Sequence, residues 1–486
     1  TNSIEKNINK NVIILLFIMY TWVIIGGGIF AIFASMGIGA NDAANAFATS
    51  IGSKSLTIKN AVVLACIFET SGAALMGNRV SDTIRKGIAN HECFEDDPYV
   101  LMYGCMWVCF SVGAWLFLAS KYEMPVSTTH SCVGAMIGMT IVTKGPECVI
   151  WYEEKEYFPY IGGVSGIVVS WIISPVFSSV VSFLLFGGLR NILLRSSHSF
   201  ERSLYAFPLI VGSTITLNTF YIVYKGASGI GLDEMPLVEV FSWSFGLGGI
   251  STLAMIPLTK KYQNYIINNN IEREISDDEM KPTQIFDMDN IVNENNTILE
   301  IHKNAEVFDP NTEELFKGLQ VFTAIFDSFS HGANDVANAM GPFSTMYIIY
   351  KNGKVDEKND LGTDAYWILT AGGIGISVGL ALYGYKIIQA IGVKLCKITP
   401  SRGICIELAS AIVIITGSRL EIPLSTTHCQ VGATLGVALL EDINSCSGIN
   451  YKILYKTLFG WVATIIVVSL STSILVSQGV YSPEVT

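Results

Sequence analysis

Gly39-Ala40-Asn41-Asp42-Ala43-Ala44-Asn45-Ala46 follows the hydrophobic run Val12–Met36 and returns as Gly332-Ala333-Asn334-Asp335-Val336-Ala337-Asn338-Ala339, changed only at Val336. An apolar run of about 18 or more residues with few charges reads as a membrane span, so the first copy lies at membrane depth. Two amides and a carboxylate packed into five positions are costly there. An ionisable residue inside a bilayer is a functional site by default. A second copy after an apolar stretch in the other half makes accident a poor explanation.

The rest of the composition agrees. The chain has 486 residues, 50% hydrophobic and 15% charged, with a mean hydropathy of +0.46. Leu101–Ser120, Ile161–Leu189, Leu204–Tyr224, Leu237–Leu258 and Ile453–Val476 are further candidate spans. A soluble enzyme would have to bury all of them in one very large core, which excludes that class. The net charge of -11 comes from acids clustered at Glu92–Asp97, Glu147–Glu156 and Glu272–Asp289, solvated loops rather than partner surfaces. No basic stripe points to nucleic acid. Of ten cysteines, Cys66, Cys105, Cys109 and Cys405 fall in apolar segments and read as small hydrophobes. Cys93, Cys148 and Cys446 fall in polar loops, where sequence leaves disulfide pairing open. The first apolar run is too long for a signal-peptide core and lacks a small-residue cleavage site, so it is expected to stay as a helix.

A second motif is also duplicated. Pro125-Val126-Ser127-Thr128-Thr129-His130, followed by Val133-Gly134-Ala135, returns as Pro423-Leu424-Ser425-Thr426-Thr427-His428, followed by Val431-Gly432-Ala433. The step from Asn41 to Ser127 is 86 positions and from Asn334 to Ser425 is 91, a difference that polar insertions such as Lys351–Asp364 absorb. Ala371–Tyr385 likewise matches Ala61–Met76. Proline suits a first helical turn and Ser or Thr an N-cap. Pro125–Thr143 is too short to cross with the sequence before it, so it reads as a re-entrant or broken helix whose N-terminus points inward. Duplicated halves with interrupted helices point to a transporter site at the repeat interface. The expectation is an all-α polytopic membrane protein with two inverted repeats around a midplane site. Residues 1–258 form the first half, with a repeat core at about 12–143; 259–314 is a polar, partly disordered linker; 315–486 is the second half.

Hard cations take oxygen ligands. Asn41, Asp42, Asn45, Asn334, Asp335 and Asn338 supply them, and Asn and Asp tolerate the non-helical backbone that bares carbonyls; sodium is the guest expected. The competing reading is that these residues cap a broken helix. Ser127, Thr128, Thr129, Ser425, Thr426 and Thr427 place hydroxyls at helix N-termini, where free N–H groups and the dipole attract an anion. Ordinary capping competes here too. Glu69 lies mid-span and Glu407 nearer an interface; each is either a satisfied buried acid or a coupling-ion ligand. His130 and His428 are expected to support the hydroxyl triplets. No His or Cys cluster suggests a transition metal.

The two duplicated motifs resemble those of the inorganic phosphate transporter (PiT) family of sodium– or proton–phosphate symporters. Thr49-Ser50-Ile51-Gly52-Ser53, Arg79-Val80 with Thr83-Ile84, Thr399-Pro400-Ser401-Arg402-Gly403 and Glu407-Leu408 agree with it as well. Ala43, where the family usually has valine, is a small departure. The resemblance implies an inverted-repeat fold, phosphate between the two Ser-Thr-Thr tips, cations at the Asn-Asp stretches, and importance for Glu69 and Glu407. It also implies a cytoplasmic linker and a plasma-membrane address.

The expected activity is sodium-coupled phosphate symport by alternating access, with no catalytic residue and no cofactor beyond the coupling ion. Partners are phosphate, sodium and the lipid bilayer, with a homodimer left open. Proton coupling or sulfate would keep the same fold. An intramembrane hydrolase using Ser127 or Ser425 is the remaining alternative, disfavoured because a catalytic site needs distinct roles rather than two near-identical sets.

Overall fold

A computed structural model describes residues 2–156, 160–224, 235–275, 288–355, 361–420, 422, 424–441 and 447–482. The described elements are helices joined by loops, and the only strands among the described residues form a two-stranded ribbon pairing Glu153–Glu154 with Ile161–Gly162. Among the described residues, nine helical stretches are long and apolar enough to cross a membrane. Their outer faces carry exposed Ile172, Leu184, Phe245, Leu253 and Phe459, side chains that only lipid covers comfortably.

The first half runs α1 (Asn2–Ile38), a π-turn at Gly39–Ala43, α2 (Ala44–Gly52), α3 (Ile58–Lys86), α4 (Pro98–Lys121) and α5 (Thr128–Lys144). Three long helices follow: α6 (Gly163–Leu189), α7 (Ser199–Val223) and α8 (Leu237–Ile275). Short α9 (Met288–Asn293) and α10 (Asn296–Asn304) precede α11 (Pro310–Asn352), α12 (Asp364–Tyr383), α13 (Tyr385–Gln389), α14 (Pro400–Arg419), α15 (Thr426–Ala438) and α16 (Tyr451–Val480). Within the polar segment 259–314, α8 continues to Ile275 and α10 buries Ile298 and Ile301, so parts of it are helical. One expectation needs correcting: the two Asn-Asp stretches are not unwound. The first sits in a π-turn, and the second lies inside the unbroken α11. Pro423 and Cys446 fall outside the described residues.

The motif helices α1 and α11 run antiparallel, since Thr21 Oγ1 meets Tyr350 Oη at 3.1 Å. Each is clasped by a helix of the other half through paired glycines. A Cβ on Gly39 would lie 1.8 Å from the Ile376 carbonyl, and one on Gly379 would lie 1.8 Å from that of Met36. The same clasp recurs with Gly332 against Glu69 (2.1 Å) and Gly72 against Phe329 (2.0 Å). Small residues let helices approach to backbone contact in lipid, where no hydrophobic force drives them together. The matching clasps also fix a correspondence: Ile376 stands in one half where Glu69 stands in the other.

Two helical hairpins complete the frame. α5 returns alongside α4, with Lys144 Nζ 2.7 Å from Asp97 at the open end. α15 returns alongside α14, with Arg402 Nη2 2.5 Å from Glu441. Beside the first hairpin's foot, Cys93 and Cys148 form a disulfide across 55 positions. α6 starts near that foot and ends at Arg190, which pairs with Glu306 at 2.6 Å near the second. The two feet therefore lie at opposite ends of α6.

Substituting Gly379→Ala forces backbone apart, and overpacking of this kind costs about 1–3 kcal/mol. Gly246→Ala, with open space around the added methyl, is the control. The first variant is expected to lower the midpoint of thermal unfolding in detergent and the second to leave it in place.

Candidate functional site

Both hydroxyl triplets begin a helix in the protein interior. Ser127 caps α5 by accepting the His130 N–H at 3.2 Å, and Ser425 caps α15 by accepting that of His428 at 3.3 Å. Pro125 precedes the cap and lies outside the first turn. Capping uses one lone pair of each serine and leaves its O–H proton available to donate.

The two tips meet. Thr129 Oγ1 donates to the Leu424 carbonyl at 2.9 Å, and Thr427 Oγ1 donates to the Val126 carbonyl at 3.0 Å. Each triplet thus fastens to the segment leading into the other. Asn41 and Asn334 brace those same segments. Asn41 Nδ2 donates to the Met124 carbonyl and its Oδ1 accepts the Val126 N–H, both at 3.0 Å. Asn334 Nδ2 donates to the Leu424 carbonyl at 3.0 Å.

Both aspartates lie against the tips. Asp42 Oδ2 accepts the Thr128 N–H at 3.2 Å and its hydroxyl at 2.9 Å, while Oδ1 accepts Asn45 Nδ2 at 3.0 Å. The Thr427 hydroxyl from the other half also reaches Asp42 Oδ1, so its single proton is shared between that carboxylate and the Val126 carbonyl. Asp335 Oδ2 accepts the Thr426 hydroxyl at 2.5 Å, and Oδ1 accepts Asn338 Nδ2 at 3.2 Å. Asn338 also donates to Thr128 Oγ1 at 3.0 Å. An oxygen of Asp42, an oxygen of Asp335 and a ring nitrogen of His331 all lie within 4.8 Å of one another. Nine of the twelve residues expected in the cation and anion sets are thus joined to one another by hydrogen bonds among Asp42, Asp335, Asn45, Asn334, Asn338 and the threonines; Asn41 holds the backbone leading into a tip, and Ser127 and Ser425 cap the tips.

The supporting residues take different places. His130 and His428 do not hold the hydroxyls; their Nδ1 atoms lie 3.3 Å from the Trp461 carbonyl on α16 and 2.9 Å from the Trp171 carbonyl on α6. Each tip is thereby tethered to a helix of the other half. Glu69 reaches the centre indirectly, with His331 Nδ1 2.8 Å from Glu69 Oε2 and His331 Nε2 2.7 Å from Asp335 Oδ2. Glu407 is not near an interface: it is fully buried and lies in a cage of Thr49 (2.5 Å), Ser50 (2.6 Å), Thr323 (2.5 Å) and Gln320 (3.3 Å).

His331, Gln320, Thr323 and Asp327 escaped the sequence reading. Their signal is the spacing Thr323, Asp327, His331, Asp335, which puts one polar residue per turn on one face of a helix.

The chain matches the phosphate transporter family over residues 38–472. It belongs to that family. It is 32% identical to a chloroplastic inorganic phosphate transporter 2-1 of Arabidopsis thaliana, over 90% of this chain and 69% of the relative. It is 26% identical to sodium-dependent phosphate transporter 1 of Mus musculus, over 91% of this chain and 93% of the relative. A solved structure described as the sodium-dependent phosphate transporter aligns with a TM-score of 0.75 at 28% identity, covering 95% of this chain and all of that one. The protein is accordingly a multi-pass membrane phosphate transporter.

Thr427 joins the transporter's two halves, reaching Asp42 and the Val126 carbonyl from the tip of α15. A hydrogen bond to a charged group contributes about 1.5–3 kcal/mol, equivalent to roughly 10- to 100-fold in an equilibrium. Thr427→Val keeps the shape and deletes the hydroxyl. Phosphate uptake by this variant in proteoliposomes is expected to fall at least about 10-fold with the purified yield unchanged.

Proposed function

We propose that the transporter is a sodium–phosphate symporter whose halves, related as inverted repeats, alternate access to one central site. The observation that carries this reading is that Asp42 and Asp335 occupy the donors of the helix tips. A phosphate arriving at Ser127–Thr129 and Ser425–Thr427 competes with those carboxylates for the same N–H and O–H groups. Displacing them puts two buried carboxylates beside a buried oxyanion, which low dielectric makes prohibitive unless positive charge enters too. Sodium ions at Asp42 and Asp335 meet that need. Asn45 and Asn338 flank the carboxylates, and the buried Oδ1 of Asn45 and Oε1 of Gln430 have no hydrogen-bond partner, so they remain open as oxygen ligands. Asn41 and Asn334 hold the tip-leading segments in place. Coupling on this account is an exchange of partners. Cations draw the carboxylates off the tips, and the freed donors take phosphate.

The same reading sets the orientation. A disulfide persists in an oxidising compartment. The Cys93–Cys148 foot then faces outside a plasma membrane, and the polar segment around Glu306, at the other end of α6, faces the cytoplasm.

Replacing sodium by choline at fixed pH in proteoliposomes is expected to abolish phosphate uptake, whereas changing pH at fixed sodium is not. Uptake that survives in choline and follows an imposed proton gradient assigns the coupling to protons. Excess sulfate should leave phosphate uptake intact if the oxyanion is phosphate. Glu95→Cys, at an exposed position beside the disulfide, is expected to react with a membrane-impermeant maleimide on intact cells, while Lys260→Cys reacts only after permeabilisation.

A further inference from the structure

The polar face of α11 extends beyond the central site. Gln320, Thr323, Asp327, His331 and Asp335 follow one another at three- and four-residue steps, so they line one side of the helix, and all five are buried. Gln320 and Thr323 belong to the Glu407 cage, and His331 and Asp335 to the central cluster. Asp327 belongs to neither.

Its carboxylate is 2% exposed and stands within electrostatic reach of Glu407 on one side and of Glu69 and His331 on the other. Ser410 of α14 is its neighbouring hydroxyl and interacts with the carboxylate. Apart from that contact, Asp327 Oδ1 and Ser410 Oγ are buried with no other hydrogen-bond partner. Buried polar atoms are nearly always fully satisfied, so a carboxylate oxygen left with one hydroxyl at most has room for an occupant. The fold does not demand an acid here. Counting back eight positions from each motif aspartate, Asp327 corresponds to Ala34; counting back fifteen from each capping serine, Ser410 corresponds to Val112. The first half fills both places with hydrocarbon.

We propose that Asp327 and Ser410 form a cation station of their own in the membrane interior, taking one sodium ion between the Glu407 cage and the central cluster. The proposal rests on the sodium-coupled reading of the central site. A carboxylate and a hydroxyl present the oxygen ligands a hard monovalent cation takes, and the neighbouring Glu407 and Glu69 add attraction that His331 offsets in part. Successive residues of the stripe are about 6 Å apart along the axis, four residues at 1.5 Å rise. Asp327 thus divides the path from the Glu407 cage to Asp335 into steps short enough for an ion to pass from one oxygen set to the next. The station gives the coupling ion a route along α11 that the phosphate, held at the tips, does not share.

Asp327→Asn separates the proposal from its rival, because asparagine copies the shape of a protonated aspartic acid but not the charge of a carboxylate. Binding of radioactive sodium to the full chain in detergent without phosphate, and sodium-dependent phosphate uptake, are the measurements. The variant is expected to bind one sodium fewer and to need about 10-fold more sodium for half-maximal uptake, the effect of losing about 1.4 kcal/mol of ligation. Its phosphate KM at saturating sodium should match that of the unaltered chain. Ser410→Ala, which keeps the carboxylate, is expected to raise the half-saturating sodium a few-fold, and it carries the test if the asparagine variant does not fold. Sodium binding and sodium dependence unchanged in these variants overturn the proposal and make Asp327 a protonated structural acid. Failure of the unaltered chain to bind sodium overturns instead the sodium reading of the central site.

Discussion

Charge balance in the membrane interior is the constraint on which the rest of the structure depends. Asp42, Glu69, Asp327, Asp335 and Glu407 are all buried, and among the described residues the one basic side chain that touches any of them is His331. Removing a partner from a buried charge costs several kcal/mol, and hydrophobic packing cannot repay it. The chain meets this with oriented donors rather than with lysine or arginine. Hydroxyls, amides and a helix tip surround Asp42, and four neutral donors surround Glu407. Donors of this sort stabilise a carboxylate but also yield to a mobile cation. A buried arginine would bind the acid or the substrate permanently, whereas a carrier has to let go.

Duplication accounts for the centre, and departures from duplication account for what surrounds it. The glycine clasps, the capped tips, the threonine crossings and the histidine–tryptophan tethers occur once in each half with the same partners. The acid-bearing extension does not. Where Glu69 meets His331, the other half sets Ile376 against Ile38, and Cys109 stands at the place of Glu407, eighteen positions before the capping serine. The proposed phosphate site is thus built twice, whereas the acid-bearing stripe of α11 along which the coupling ion is proposed to pass occurs, among the described residues, in one half alone.

The motifs, their duplication and the inward-facing capped helices were all legible in the sequence, because proline, serine and threonine before an apolar run state a helix start in local chemistry. The continuity of the Asn-Asp helices was not. Asparagine and aspartate suggest a break when read alone. In the fold their side chains are bound to the tips of α5 and α15 and have no need to turn on their own backbone; α11 continues straight through. Glu407 read as interfacial because Arg402 is close in sequence, yet one turn of helix carries the arginine to Glu441 and leaves the acid among Thr49, Ser50 and Thr323. Partners contributed by the other half leave no trace near a residue in the chain. His331 is the clearest case, since only the fold brings Glu69 to it.

The bonds that close the site differ in kind from those that frame it, and this difference indicates where movement is cheap. Two threonine–carbonyl bonds join the tips, and a neutral hydrogen bond contributes only about 0.5–1.5 kcal/mol net. Behind each tip the packing is far tighter. A Cβ on Gly138 would lie 2.3 Å from the Ser469 carbonyl of α16, and one on Gly436 would lie 2.2 Å from that of Ser179 on α6. α5 with α16, and α15 with α6, therefore move as pairs if they move at all, each carrying its tip on a helix from the opposite half. Parting the tips breaks two weak bonds. Separating a tip from its supporting helix undoes a run of backbone-close contacts, which packed interiors resist as discrete, all-or-none rearrangements. Because each tip also holds an aspartate from α1 or α11, a tip can leave only when that carboxylate has another partner. On the proposed symport reading, the ion that supplies that partner decides when the site opens, which would couple occupancy to movement through one exchange of hydrogen bonds.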